Sequence, residues 1–390
     1  MAVNLIDSDK KLEEMISFLG NSPKIAYDTE FFRKWSLFPK IGLLQFEANG
    51  EIFLVDPFAV ESIEELTNHL CETDSLIVTH AYGEDFEIIS DTRHYGQNCV
   101  KKRYFRNPRE LNKYQTFAPR NVFDTQVAAK FLFRESKLSL VAVLEEHMGI
   151  VLDKAETTSD WLQRPLTESQ LEYASLDVAY LVELSEILDK KIKAKGVVYD
   201  YFHEELSEIS KKFNNPNQLD EVYLNIKFSG KLSPERFRML RALVELRNRA
   251  CLSQDLPTVR FLDNNGMISL VKKNILELKN FNDVRISNII AKNWGNVIKT
   301  TLLKAYYSKE KVVYTYDYVI QNSEWKEKID ALKAYLEEVS IKLQINKDYL
   351  YTNKLVAQFF YYHYIDDFCG LPLLESGWRR DAVGDLSRFL

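Results

Sequence analysis

Four acids and a tyrosine in this chain have the types and spacing that metal-assisted chemistry on a phosphate requires. Asp28 and Glu30 stand two apart in KIAYDTE (24–30), an apolar run that reads as a strand. Their side chains therefore leave the same face, at the strand end where site residues gather in α/β folds. Asp85 falls in the first turn of a helix that follows LIVTH (76–80), a second short apolar run. Asp177 lies in EYASLDVAYL (172–181), with Tyr173 four residues earlier on the same helical face. On a 3.6-residue wheel Asp177 shares its stripe with Ala174, Leu181, Leu184 and Leu188, and Glu172, Glu183 and Glu186 fall opposite. A carboxylate buried there without a partner is costly.

Each residue taken singly has a plain structural reading. Asp28 could cap a turn, Asp85 could complement a helix dipole and Tyr173 could be core. Taken together they make a different site. Two like charges about 4 Å apart repel by about 4 kcal/mol at an effective dielectric of 20, so converging acids demand cations. Oxygen ligands without His or Cys suit Mg²⁺ or Mn²⁺. Two such ions about 3.5–4 Å apart clamp the attacking and leaving oxygens of a phosphodiester. A tyrosine hydroxyl beside them can orient the attacking water or take part in its activation.

The elements that must position these residues follow from the apolar pattern. KIAYDTE, IGLLQFE (41–47) and EIFLVDP (51–57) read as strands, the last two joined by an Asn49-Gly50 hairpin turn. Helices are expected at about 61–71, 83–91, 124–134, 138–148 and 167–190, the last opened by a Thr167–Gln170 capping box. One further helix is expected to open residues 1–80. Strands first and helices after them suggest a mixed sheet with helices on its faces. Beyond about residue 195 the pattern is helical throughout; Ser233-Pro234 opens a helix to about 252, Asp263–Gly266 precedes another, and a second helical block runs from about 296 to 390.

Composition narrows the class. The chain has 390 residues, 46% apolar and 28% charged, which is ordinary for two or three globular domains. A net charge of −6 makes any polyanion-binding surface a local one. The four cysteines form no CxxC pair, which fits a reducing compartment. No signal-peptide pattern opens the chain and no run reaches the roughly 18 apolar residues of a membrane span. The expectation is a cytoplasmic monomer with no membrane association.

The same residues carry a family resemblance. Asp28-x-Glu30, Asp85 and Tyr173-x3-Asp177 resemble the three exonuclease motifs of the tyrosine-bearing DEDD superfamily (DEDDy). YDTEF, GLLQF, LVDP, THAYGEDFEII, FDTQVAAKF and DKAETTSDWLQRPLTESQLEYASLDVAYL are similar to bacterial ribonuclease D, and the likeness covers essentially the whole chain. YLNIKFSGKLSPERFRMLRALVELRNRACLSQDLPTVRFLDN resembles an HRDC domain, the helical module of that family and of RecQ helicases. SIKLQINKDYLYTNKLVAQF and LESGWRRDAVGDLSRFL resemble its degenerate C-terminal counterpart.

The resemblance implies an α/β fold: a ribonuclease H-like mixed-sheet exonuclease domain over 1–200, an HRDC domain over 201–295 and a helical HRDC-like domain over 296–390. It implies a 3′→5′ exoribonuclease that releases 5′-nucleoside monophosphates from single-stranded 3′ ends, with tRNA precursors as the family's typical substrate. Asp28, Glu30, Asp85 and Asp177 would be the ligands of two divalent ions, Mg²⁺ or Mn²⁺, and Tyr173 would position or activate the water. The helical modules would bind RNA around the mouth of the site, or serve mainly as structure. Two other functions share these features: a DNA 3′→5′ exonuclease, because the metal site does not distinguish sugars, and a non-catalytic RNA-binding scaffold, which full retention of the five residues argues against.

Around the five stand weaker substrate-binding candidates. His80 and Glu84 flank Asp85 and could orient the site or meet substrate; His80 could equally be a satisfied strand-end histidine. Trp161 and Arg164 in SDWLQRPL could stack on a base and hold a phosphate, or simply pack their loop. Asp124 reads as an N-cap. Residues 92–120 carry eight Lys/Arg against one acid, with Tyr104, Phe105, Tyr114 and Phe117 between, a longer insert than ribonuclease D usually has. Lys101, Lys102 and Arg103 in it would contact phosphates as an RNA-guiding arm, or the stretch is a solvated loop. Replacing these three by Gln should flatten the salt dependence of RNA binding; an unchanged slope of log K against log salt would dismiss the arm.

Overall fold

The computed structural model describes residues 2–34, 36–95, 119–132, 138–152, 156–213, 219–273, 281, 284, 286–367 and 370–390. The basic stretch with Lys101, Lys102 and Arg103 lies outside the described residues.

Six strands form one mixed sheet: β1 (Ala2–Ile6), β2 (Lys24–Phe32), β3 (Lys40–Ala48), β4 (Glu51–Val55), β5 (Leu76–Thr79) and β6 (Val122–Asp124), in the order β1-β4-β3-β2-β5-β6. The centre is an antiparallel meander of β2, β3 and β4. Asn49 and Gly50 join β3 to β4 with φ of 52° and 84°, the left-handed pair that a two-residue hairpin needs, and Ala48 pairs with Glu51 across it. β1 adds in parallel beside β4, and β5 and β6 add in parallel beyond β2. Neither β1 nor β6 was expected from sequence. β1 leaves Val3 and Leu5 exposed at the sheet edge, so its apolar residues give no clean inward alternation; β6 is only three residues long.

Helices α1 (Asp9–Leu19), α2 (Ile63–Glu72) and α3 (Gly83–Tyr95) belong to the sheet half, as do α4 (Thr125–Leu132), α5 (Leu140–Met148), α6 (Glu168–Ala179) and α7 (Leu181–Lys193). α6 packs across β2, β3 and β4, and α7 across β2 and β5. The expected single helix over 167–190 is therefore two. It breaks at Tyr180, whose φ of −117° and ψ of 0° leave the helical region. The stripe drawn through Asp177 and Leu181–Leu188 does not exist as one face: the leucines pack α7 separately. The capping box is present, with Thr167 and Gln170 satisfying each other's backbone amides.

The rest is helical: α8 (Val197–Phe213), α9 (Leu219–Leu224), α10 (Pro234–Gln254), α11 (Thr258–Phe261), α12 (Asn264–Lys272), α13 (Asn288–Tyr307), α14 (Tyr316–Gln321), α15 (Lys326–Leu343), α16 (Lys347–Leu350), α17 (Asn353–Tyr364) and α18 (Gly377–Val383). The expected boundaries at 200 and 295 fall inside α8 and α13, so neither is a linker. α8 packs on α4 and β6 with one side and on α18 with another. Phe131 of α4 meets Phe202, Tyr349 and Trp378 at ring separations of 5.2–5.8 Å. Buried Glu205 of α8 accepts from Trp378 Nε1 at 2.5 Å and pairs with Arg379 at 2.7 Å. Lys195 reaches the carbonyls of Phe131 and Gln344, and the Asn346 amide donates to the Lys130 carbonyl. The C-terminal helices are thus fastened to the sheet half by a buried charge pair inside an aromatic cluster.

Removing one partner of a buried pair costs about 3–5 kcal/mol. Arg379→Met should lower unfolding free energy by about 3 kcal/mol, read from denaturant midpoints, while Arg388→Met, at an exposed arginine, stays within about 0.5 kcal/mol.

Candidate active site

β2 brings Asp28 and Glu30 to its C-terminal half, and the ladder with β3 slips by one residue just after Glu30. Such a bulge bends the strand and re-aims side chains next to it. Thr29, between the two acids and on the opposite face, donates its hydroxyl to Asp85 Oδ1 in the first turn of α3. That bond reaches from β2 to α3 and fixes Asp85, which is 6% exposed. Ala81, with a φ of 65°, turns the chain from β5 into α3. From the other side α6 brings Tyr173 and Asp177, one turn apart. The Tyr173 hydroxyl lies 3.3 Å from Thr157 Oγ1, and its proximity to Asp177 acts to lower that acid's pKa.

The four acids feel one another. Burial, then the charges of Asp85, Asp177 and Glu30, hold Asp28 well above the ordinary carboxylate range. Burial and the charges of Asp177 and Asp85 push Glu30 up to about 9. Burial raises Asp85 and Asp177 to about 7 each, against the hydrogen bonds from Thr29 and Tyr173 respectively. Burial, and next the Asp177 charge, push the Tyr173 hydroxyl up to about 12. The phenol therefore keeps its proton at neutral pH.

The donor set is all hard oxygen, and a divalent cation would reverse the proton uptake that the acids share. In chemistry the residues fit Mg²⁺ or Mn²⁺. They are not drawn into a ready-made cage: among the described residues no three His, Cys, Asp or Glu side chains stand close enough to hold one ion.

The weaker candidates among the described residues have other partners. His80 is buried; its Nε2 lies 2.9 Å from the Leu138 carbonyl and its Nδ1 2.9 Å from Thr125 Oγ1, and burial lowers its pKa. Glu84 pairs with Arg33, which also reaches Glu87 at 2.6 Å. Trp161 is 2% exposed, packed against Gly42 where a Cβ would stand 2.7 Å from its own, so it presents no face to a base. Arg164 is held by Asp56 at 2.7 and 2.8 Å and by the Gly42 carbonyl at 2.6 Å, its guanidinium over the Phe58 ring. Both staple the 156–166 segment to β3 and β4, which sets where α6 begins. Asp124 is an N-cap, accepting from the amides of Gln126 and Val127.

Sequence reading passed over three groups at the site: Thr29, Arg33 and Gln45. Gln45 lies directly across the ladder from Asp28, fully buried, with neither amide atom partnered among the described residues. A glutamine within the apolar run GLLQF was the visible signal. A cavity of about 880 Å³ lies elsewhere, lined by Lys24, Leu76 and Val122 at the opposite strand ends; the carboxylates sit toward the carboxyl end of β2, where α/β sites form.

A strand-borne acid pair, a helix-borne acid and a Tyr-Asp helix turn over a mixed sheet define a 3′-5′ exonuclease. Residues 3–193 match the 3′-5′ exonuclease family model. Ribonuclease D of Shewanella is 26% identical over 97% of this chain and 92% of its own length; that of Psychromonas ingrahamii is 30% identical over 63% and 60%. The crystal structure of Escherichia coli ribonuclease D, described as an exoribonuclease involved in structured RNA processing, superposes with a TM-score of 0.81 at 23% identity, covering 100% of this chain and 98% of that one. Residues 3–193 thus form a 3′-5′ exonuclease domain, and the chain is similar to ribonucleases D over nearly its whole length.

Because the folded-state values of Asp28, Glu30, Asp85 and Asp177 lie above the unfolded ones near 4, the folded protein holds protons that the unfolded chain releases. That contribution is full below about pH 4 and is lost as pH rises through 7 to 9. The Tm in EDTA should fall between pH 5 and 9, and excess Mg²⁺ should flatten the decline. Parallel curves with and without Mg²⁺ would count against cation binding at these acids.

Proposed function

We propose that this 3′-5′ exoribonuclease trims single-stranded RNA 3′ ends, tRNA precursors among them, releasing 5′-nucleoside monophosphates one at a time. The observation that carries the reading is that Asp28, Glu30, Asp85 and Asp177, from three separate elements, are brought together beside Tyr173, close enough that the charges of Asp85 and Asp177 add to burial in raising Asp28 and Glu30. These four carboxylates would hold two divalent ions, Mg²⁺ or Mn²⁺. When bound, such ions supply the positive charge that eases deprotonation of the attacking water and offsets charge on the scissile phosphate.

The chain's own groups do the rest. Thr29 orients Asp85 through its hydroxyl. Tyr173 keeps its proton, stays fixed by Asp177 and Thr157, and orients the water by hydrogen bonding. The half-buried walls exclude bulk solvent and strengthen every charge interaction inside. The helices from α9 onward, HRDC-like in sequence, would take the RNA strand and restrict entry to unpaired 3′ ends. No described helix is long and apolar enough to cross a membrane; a monomer acting in the cytoplasm is the working form. RNA and DNA oligonucleotides of one sequence, compared side by side, separate this reading from a DNA exonuclease.

The test is a 5′-labelled hairpin RNA with a short single-stranded 3′ overhang, incubated with Mg²⁺, Mn²⁺ or EDTA. A ladder shortening from the 3′ end and stalling near the stem is expected with metal and not with EDTA. Asp28→Asn and Asp177→Asn should each slow it by about a thousandfold or more, roughly 4 kcal/mol of transition-state stabilisation. Digestion indifferent to both substitutions would remove the carboxylates from the chemistry.

A further inference from the structure

The loop 33–39 continues directly from the strand that carries Asp28 and Glu30, and it is pinned at both ends. At its start Arg33 binds Glu84 and Glu87, which flank Asp85 on α3. At its far end it is held by a residue from the helical half. Asp255, immediately after α10, accepts through Oδ1 from the amides of Leu37 at 2.9 Å and Phe38 at 3.3 Å. The Asp255 carbonyl also accepts from the Leu37 amide at 3.3 Å. Asp255 is left-handed, with a φ of 50°, and its own amide closes the helix on the Cys251 carbonyl. Ser36, in the same turn, is buried and donates to the Phe38 carbonyl.

Two features mark Asp255 as more than a helix cap. A left-handed residue after a helix is ordinarily glycine or asparagine, and an aspartate there satisfies the backbone geometry less cheaply. Its carboxylate does not cap its own helix; it is spent on two amides more than two hundred residues earlier in the chain. Those amides lie five and six residues beyond the end of the strand that carries Asp28 and Glu30. We propose that Asp255 is a positioning residue for substrate: it fixes Leu37 and Phe38 beside the approach to the carboxylates, so that the placement of the helical half sets how well a 3′ end is bound. The inference rests on the exonuclease reading above, and it assigns the effect to binding, because no reacting atom lies on Asp255.

The geometry also supplies the variants. Asp255→Asn keeps the accepting Oδ1 and tolerates left-handed backbone. Asp255→Gly removes the acceptor while relieving the backbone, so it isolates the two hydrogen bonds from conformational strain. Steady-state digestion of one 5′-labelled single-stranded RNA by the full chain should show Asp255→Gly raising KM by about tenfold, the scale of a lost hydrogen bond to a charged group, with kcat within about twofold. Asp255→Asn should restore KM to near wild type. An Asp255→Gly enzyme with unchanged KM, even with a lowered Tm, would make the contact a structural brace only and overturn the proposal. Equal loss in Asp255→Asn and Asp255→Gly would also overturn it. Wild-type enzyme without activity on the RNA would instead strike at the exonuclease reading itself, so the two failures are told apart.

Discussion

Four carboxylates that would repel one another if ionised are the constraint around which this molecule is arranged. Water alone would separate them or protonate them, and the fold does neither completely. It buries them, which raises their proton affinity, and it holds them on three elements that pack for independent reasons. β2 is fixed by ladders on both sides. α3 is held by the Thr29 bond and by Arg33. α6 is fixed at its start by the capping box and the Trp161–Arg164 staple on β3 and β4. The energy that keeps the acids together comes from apolar burial and hydrogen bonds elsewhere, the usual arrangement where a site stores strain.

Much of this was legible in the sequence because the signals are local. Alternation and turn chemistry placed β2, β3 and β4, and Asn49-Gly50 marked the hairpin. The spacing of Asp28 and Glu30 put both on one face, and the spacing of Tyr173 and Asp177 did the same on α6. Other features depend on partners far away in the chain. Nothing near Trp161 or Arg164 announces Gly42 or Asp56, so residues that read as RNA contacts turn out to be staples. His80 reads as a site residue until Leu138 and Thr125 close over it. The break at Tyr180 was hidden because the apolar periodicity runs through it, and backbone geometry at one residue decides the matter.

The helical half shows the same division. Its helices were readable from period and caps, yet their attachment was not, because the Glu205–Arg379 pair and the Phe131 cluster join residues far apart in sequence. The domain boundary that the resemblance implies at residue 200 falls inside α8, a helix that packs on both the sheet half and α18 and so carries no turn there.

The break at Tyr180 has a consequence for how the enzyme comes into being. The first acids are synthesised within the first thirty residues, but the helix bearing Tyr173 and Asp177 ends only as residue 180 is made, and its docking surface on β2, β3 and β4 is complete long before. A growing chain can thus build its sheet while remaining chemically inert. Assembly of the four acids therefore waits on one event, the seating of a twelve-residue helix against a sheet face already made.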